Sequence, residues 1–521
     1  MATVTVELEL SAGVWTDCSG DVLARYPVKW SRGIMDSGPL DLIARPGVLS
    51  FALNNGPSNS GGLAGFYSPG HTNARSGFEH GTRARLKIDA GSGVSRMVYR
   101  GRLRTISPTP GETGPAATFC VCEDYMAEFS DTYTEELALV ESKRADQLID
   151  LLLDKMETAP AAKSLATGRD VYPFAFDNLG AAGSPTLVAI AQAVMQSERG
   201  FLYVTGDATT GELFVMESRD TRAKTASSLT LSAGDFRYDA GLTVPSDLSR
   251  VFNDVETIVN PRKVDAAATT ILVSLATETE IAVGQTVTLL VDYRDPSGSG
   301  TTRVGGKDMV TPAANTDYTG NAASGGGGTD LTSDLDLSAT EFFGSRAKII
   351  AENTGSQTVY LRGPGSADGP QLRGKGLYVL QPVHSLSQNA TSIAKYGRRQ
   401  IDAPLDMPYQ ASQAIGQGVA DYVAHLFGDV ANVPTKATLL TEKPALLQSA
   451  LPIDIGARVT ISEPQSGVSS TEVFVNGIEG TVTAGKSVSL TWTLAPASTT
   501  AVLILDDAVA GKLDSNSLGY A

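Results

Sequence analysis

Eight consecutive residues, Gly480-Thr481-Val482-Thr483-Ala484-Gly485-Lys486-Ser487, match the phosphate-cradling pattern GxxxxGK[ST] letter for letter. That chemistry needs a helix after the loop, because the helix N-terminal amides hold the phosphates. Here Ser487 opens SVSLTWTLAP, an alternating strand pattern, so a β-hairpin turn is the better reading. A near-match at Gly369–Gly376 lacks the hydroxyl and is read as loop. The four histidines, His71, His80, His384 and His425, form neither HExxH nor any other ligand spacing, and GxSxG is missing. Asp330, Asp334 and Asp336 offer oxygens to calcium but lack the glycine spacing of an EF-hand loop, so a solvated strand edge is expected. Nothing singles out a carboxylate pair for glycoside hydrolysis. Asn389-Ala390-Thr391 fits a glycosylation acceptor only by composition. Cys120 and Cys122 alternate on one strand face, and with Cys18 they read as buried small hydrophobes rather than a metal site. Lys395–Arg399 (KYGRR) can touch phosphate, but docking a subunit or anchoring a following helix suits one short cluster better. No catalytic, cofactor-binding or metal-binding residue is therefore assigned.

The surrounding chain must position any such chemistry. It has 521 residues, 42% hydrophobic, with a formal charge of -16. At about 150 residues per domain this suggests three or four domains with packed cores. An acidic balance disfavours binding nucleic acid through phosphate neutralisation, though it is compatible with a duplex kept mobile beside an acidic wall. An odd number of cysteines argues against a disulfide framework and fits folding in a reducing cytoplasm. The first residues, MATVTVELEL, alternate as a strand and show no signal-peptide pattern, and no run is long enough to span a membrane.

Short alternating runs broken by Gly, Pro, Asn and Ser dominate, which is the all-β signature. Strands are expected at 4–10, 47–53, 83–88, 96–103 and 118–124. The period then changes to i, i+3, i+4 in 142–156, predicting a helix capped by Ser142. A second helix at 186–198 is expected to end on a left-handed Gly200, followed by a hairpin over 201–219. From 262 to 376 the spacing resembles an immunoglobulin-like sandwich, with the run 325–328 as a flexible Gly tip. A helix at 408–428 and strands at 457–463, 472–483 and 487–496 close the pattern before a polar tail.

Several segments together resemble one family. Trp15-Thr16-Asp17, Trp30-Ser31-Arg32-Gly33-Ile34, Pro46–Asn55, Gly65-Phe66-Tyr67-Ser68-Pro69, Gly81–Leu86 and Tyr99–Arg102 are similar to the N-terminal domain of tail-tip proteins of long-tailed bacteriophages. Cys18 and Pro46 depart modestly from that pattern. Asp292–Pro296, Asp317-Tyr318-Thr319, Gly328–Thr332 and Gln371–Gly374 resemble a module inserted in siphophage baseplate hub proteins. Tyr396–Arg399, Asp406–Gln410 and the ending Leu505–Tyr520 do so too.

The resemblance implies a mainly β multidomain fold of tube-like β-barrel or sandwich domains, with a small α+β module and an inserted immunoglobulin-like β-sandwich. The expected domains are a tube-like β domain at 1–130 and an α+β module with returning strands at 131–261. The inserted β-sandwich occupies 262–376, and a second tube-like domain with one helix and a C-terminal tail occupies 377–521. It implies a structural virion protein, not an enzyme and without cofactor: the baseplate hub ring at the tail tip, assembled in the host cytoplasm. Such a ring adapts a sixfold tail tube to a threefold tip and encloses a DNA channel used in genome ejection. The implied partners are two more copies of the chain in a homotrimer, the distal tail protein, the tail tube, the tape measure protein and other tail-tip or fibre proteins. DNA would pass the lumen without specific binding, along a wall expected to carry more acidic than basic side chains. Alternatives are a hexameric distal tail protein, or a receptor-binding protein meeting host carbohydrate through 262–376, with Tyr293, Tyr318 and Tyr360 as available aromatics.

Overall fold

The computed structural model describes residues 2–497 apart from 37, 112–115, 135, 178–184, 207–208, 223–224, 240, 298–301, 366, 430–432 and 484–486. The chain is mainly β, with 42% of residues in strands and 16% in helices. Alternating burial explains why these runs became strands: Arg83–Asp89 buries Ala84, Leu86 and Ile88 and leaves Arg83, Arg85 and Lys87 half-buried.

One sheet of 13 strands organises the molecule. Its order starts with Leu242–Thr243, Lys436–Thr438, Val488–Pro496 and Val468–Val482. It continues through Val28–Gly33, Arg45–Asn54, Ala117–Glu123, Ser95–Thr109, Arg83–Asp89, Thr3–Ser11 and Val14–Asp17. Arg458–Glu463 branches from Val468–Val482 and carries Ser227–Ser232 in parallel on its far side. The described end strands do not pair with one another, so the sheet is open rather than a closed barrel. Strands from both ends of the chain share it, and one core runs beneath both, from Val6 to Leu494.

A second core, containing Leu272, Tyr293, Ile349 and Leu372, lies inside the inserted unit. Small antiparallel sheets surround it, and its first and last strands, Arg262–Val264 and Gln371–Val379, pair with each other. Arg262 faces Val379, so the insert leaves the chain beside the point where it enters. A third core packs helix Gln413–Leu426 on the sheet of Val383–Gln388, Asp254–Val259 and Leu405–Met407. Gly416 permits that contact, because a Cβ there would lie 2.9 Å from Val259 Cγ1.

Ala145–Leu153, Leu187–Glu198 and Gln413–Leu426 arise where the apolar period predicts them. The short helices Tyr125–Asp131, Ala390–Tyr396 and Pro444–Ala450 lie outside the predicted ones, so 377–521 carries three described helices and not one. Two expected caps also differ. Ser142 is not a cap: strand Val140–Arg144 runs through it with φ +52°, and Arg144 with Gln147 starts helix Ala145–Leu153. The left-handed residue ending Leu187–Glu198 is Arg199, not Gly200. Gly200 answers a different need, since a Cβ there would lie 2.1 Å from the Glu217 carbonyl oxygen. The run 325–328 is not a free tip either. Asn321 Oδ1 accepts from the Ala323 and Gly328 amides at 3.0 and 2.7 Å, and Glu278 accepts from Ser324 and the Gly325 amide. The ending Leu505–Tyr520 lies outside the described residues. No helix among the described residues is long and apolar enough to cross a membrane.

Candidate functional site

The feature with most consequence is the seam between the two ends of the chain. Val28–Gly33 pairs antiparallel with 477–482, placing Val28 opposite Val482, Trp30 opposite Gly480 and Gly33 opposite Gly477. Gly480 is required by close packing: a Cβ would sit 1.9 Å from Trp30 Cζ2. Gly33 has φ +98°, and a Cβ there would meet the Asn476 carbonyl oxygen at 2.4 Å. The first glycine of the apparent phosphate loop is thus a strand residue shaped by an indole. The hairpin reading fits, with Thr483 N donating to Ser487 O at 3.0 Å, while the turn residues 484–486 lie outside the described set.

Two faces follow from this register. On one, Leu490, Gly480, Trp30, Leu49, Cys122 and Leu103 form an unbroken row of buried residues. On the other, Thr438, Thr491, Glu479, Ser31, Val48, Glu123, Arg102 and Arg83 line up across the seam, all half-buried. A parallel row of Ser489, Thr481, Lys29, Ser50, Val121 and Thr105 lies beside it. Charges on this face are largely paired: Lys436 with Glu479 at 3.1 Å, Arg104 with Glu123 at 2.9 Å, Arg102 with Glu128 at 2.5 Å and Arg83 with Glu9 at 3.3 Å. A hydroxyl-rich surface with compensated charge presents no basic stripe for phosphates.

Buried ionic clamps hold the seam from behind. Arg222 donates to Glu217 Oε2 and Asn476 Oδ1, both at 2.6 Å, and its guanidinium lies 3.6 Å from the Phe201 ring centroid. Asn476 in turn donates to the Asp36 carbonyl at 3.1 Å. Arg32 Nη2 donates to Asp454 Oδ2 at 2.9 Å. Sequence reading missed Asp454, Arg222 and Glu217: Arg32 lies 422 residues from Asp454 and Arg222 lies 254 from Asn476, and pairs that far apart leave no spacing signal.

The segments carrying the family resemblance act as structural pins. Asn55 Oδ1 accepts from the Tyr67 amide at 2.8 Å, and the Tyr67 hydroxyl donates to buried Asp21 at 2.5 Å. Asp21 also accepts from the Ser60 amide and hydroxyl, so the 55–82 loop is locked over the core. Trp15 lies under the guanidinium of Arg85 at 4.1 Å. In the insert, Asp317 takes a bidentate Arg373 at 2.6 and 2.9 Å, and Asp292 accepts from Arg303 and Arg346. Arg398 reaches buried Asp254, while Lys395 and Tyr396 reach Asp429, so the KYGRR cluster is spent inside the chain.

The remaining candidates are dispersed. Cys18, Cys120 and Cys122 are buried and free, and burial pushes the Cys120 and Cys122 thiols well above their ordinary range. Asp330 and Asp336 cap turns at Thr332 and Ser338. His384 pairs with Glu256 at 2.5 Å on an exposed strand, and His71 accepts from the Asn73 amide at 3.0 Å in a loop. His80 and His425 are exposed. Among the described residues no group of three or more His, Cys, Asp or Glu could hold a metal. Tyr293 and Tyr318 lie in the insert core, which removes two of the three aromatics available for a sugar.

No protein-family model matches the chain, and no curated protein matches it. Solved structures do. A 43 kDa tail protein of prophage MuSo2 from Shewanella oneidensis is 10% identical with a TM-score of 0.47, over 95% of this chain and 99% of that one. A tail protein from Neisseria meningitidis MC58 is 8% identical with a TM-score of 0.40, over 95% and 96%. The Escherichia coli c3393 protein, described as a type VI secretion component similar to the T4 tail proteins gp27 and gp5, is 8% identical with a TM-score of 0.39, over 95% and 77%. At that degree of likeness they carry no argument of their own, and the functional reading rests on the seam.

Proposed function

We propose that this chain is a structural protein of a phage tail tip: the baseplate hub, a homotrimeric ring that joins a sixfold tail tube to a threefold tip. The observation that carries this reading is the fusion of two β blocks, from opposite ends of one chain, into one continuous sheet. Two blocks in each of three copies give six wall segments, which is the arithmetic a threefold-to-sixfold adapter needs. Strand edges unpaired among the described residues at both ends of the sheet supply ladder groups for neighbouring copies, and leaving them bare would promote uncontrolled association.

On this reading the open face lines the channel. Its hydroxyls and paired charges let DNA slide without a specific hold. Lys29, Arg83 and Arg102 stand in its two rows with Glu479 and Glu123, and the wall of the assembled ring as a whole is expected to carry more acidic than basic side chains. The distal tail protein, tail tube, tape measure protein and fibre proteins are the neighbours such a ring would contact. Native mass spectrometry of the purified chain tests the reading: three copies are expected, six would favour a distal tail ring, and a monomer would refute both.

A further inference from the structure

Strand pairing fixes the direction of both ends of the long sheet. Eleven of its 13 strands lie on one path from Leu242–Thr243 to Val14–Asp17. Each of the ten pairs along that path is antiparallel, from Leu242 against Ala437 to Glu7 against Asp17. Direction reverses at every step, so after ten steps the last strand points the same way as the first. Among the described residues neither end strand has a partner on its outer side. Such a sheet can meet a second copy edge to like edge across a twofold axis, which sets the touching strands antiparallel. It can also meet the opposite edge of the next copy head to tail, which sets them parallel, and only this second arrangement closes a ring of three. The edges also differ in what they carry. Phe236 bridges to Leu439, the Arg237 amide donates to the Thr438 carbonyl at 3.1 Å, and Leu242 faces Ala437, so these residues follow Lys436–Thr438 along its outside. Tyr238, between them, is 96% exposed, more than any other large hydrophobic side chain described. A lone exposed apolar group is ordinary, but a tyrosine standing free beside an unpaired ladder has the make-up of an interface anchor. A third free edge, Ser227–Ser232, offers exposed hydroxyls instead. At the far end Val14 is exposed, and neither Lys nor Pro guards Val14–Asp17.

Resting on the trimeric hub reading, we propose that Leu242–Thr243 of one copy pairs in parallel with Val14–Asp17 of the next, and that Tyr238 anchors the joint. Parallel pairing is slightly weaker per residue than antiparallel, and it enters this path only between copies, so the ring parts first at these three joints. Cross-linking of the full chain tests the joint, because Cys18, Cys120 and Cys122 are buried and leave little background. Val14→Cys with Thr243→Cys, both at exposed positions, is treated with a bismaleimide spanning about 10 Å, two strand spacings. Covalent pairs and closed threes are expected, and none from Val14→Cys alone. In sedimentation, Tyr238→Ser should raise the concentration at which the trimer dissociates at least tenfold. Leu386→Ser, at an exposed leucine on another sheet, should change it less than twofold. A trimer that gives no product with the 14 and 243 pair, and that Tyr238→Ser leaves unchanged, overturns the joint while the hub reading stands. Cross-linking by Val14→Cys alone marks a twofold contact and overturns it as well. So does cross-linking that needs Ser228→Cys in place of Thr243→Cys, which moves the joint to the third edge. A wild-type chain that never forms trimers removes the hub reading and the joint together.

Discussion

Gly480 shows how much a single position reveals and conceals. In the sequence it opens a phosphate-loop pattern, and only the period of the following residues argues otherwise. In the structure its missing Cβ is the space filled by Trp30. Gly480→Ala should destabilise the protein by about 2–3 kcal/mol, the cost of overpacking a tight site. Gly20→Ala, with nothing within 4 Å of the added carbon, should stay within about 0.5 kcal/mol in the same denaturant titration. Asp124 offers a pH test. It caps helix Tyr125–Asp131 through the Met126 amide, and burial, opposed by the Gly47 and Met126 amides, pushes its carboxyl up to about 8. The folded state then holds a proton that the unfolded chain has released, so this group costs stability as pH rises from about 4 to 8. Asp124→Asn keeps a capping oxygen and removes the titration. Its stability relative to wild type should improve by at least about 1.4 kcal/mol between pH 5 and pH 9, and parallel melting curves for the two proteins would refute this.

Elements were more legible than their attachments. The helices around 145–153, 187–198 and 413–426 and most strands follow from apolar period alone, because burial of one face is a local property of the sequence. What holds the elements together was not readable. The insert is anchored by Arg262, whose Nε donates at 2.7 Å to Asp177, a carboxylate only 1% exposed. Lys307 pairs with Glu141, and the Gly344 amide donates to the Leu137 carbonyl at 2.9 Å on the same side. Asp177 and Leu137 lie outside strands and helices, and Glu141 sits in the short strand Val140–Arg144, so none of these partners carries a readable period. Arg262→Ala leaves Asp177 charged, buried and alone, a loss of about 3–5 kcal/mol. Hydrogen exchange should rise in Arg262–Val264 and Gln371–Val379 while the seam stays protected. Equal loosening of the seam would show that the insert is not a separately attached unit. Removing 263–378 should leave assembly intact if the insert only decorates the ring, and loss of assembly would make it a structural member.

At the scale of the molecule, the mainly β class was legible from alternation and turn residues, whereas the joining of the chain's two ends was not. Alternation tells which face of a strand is buried but not which strand lies beside it, and Gly33 meets Gly477 across the whole length of the chain. That join is also what the functional account depends on. An axial cryo-EM view of the assembled protein tests it most directly. The account predicts six wall segments contributed by three chains, with Val28–Gly33 and Val468–Val482 side by side within each chain. A ring with one wall segment per chain, or a particle in which those two strands belong to different copies, would contradict it.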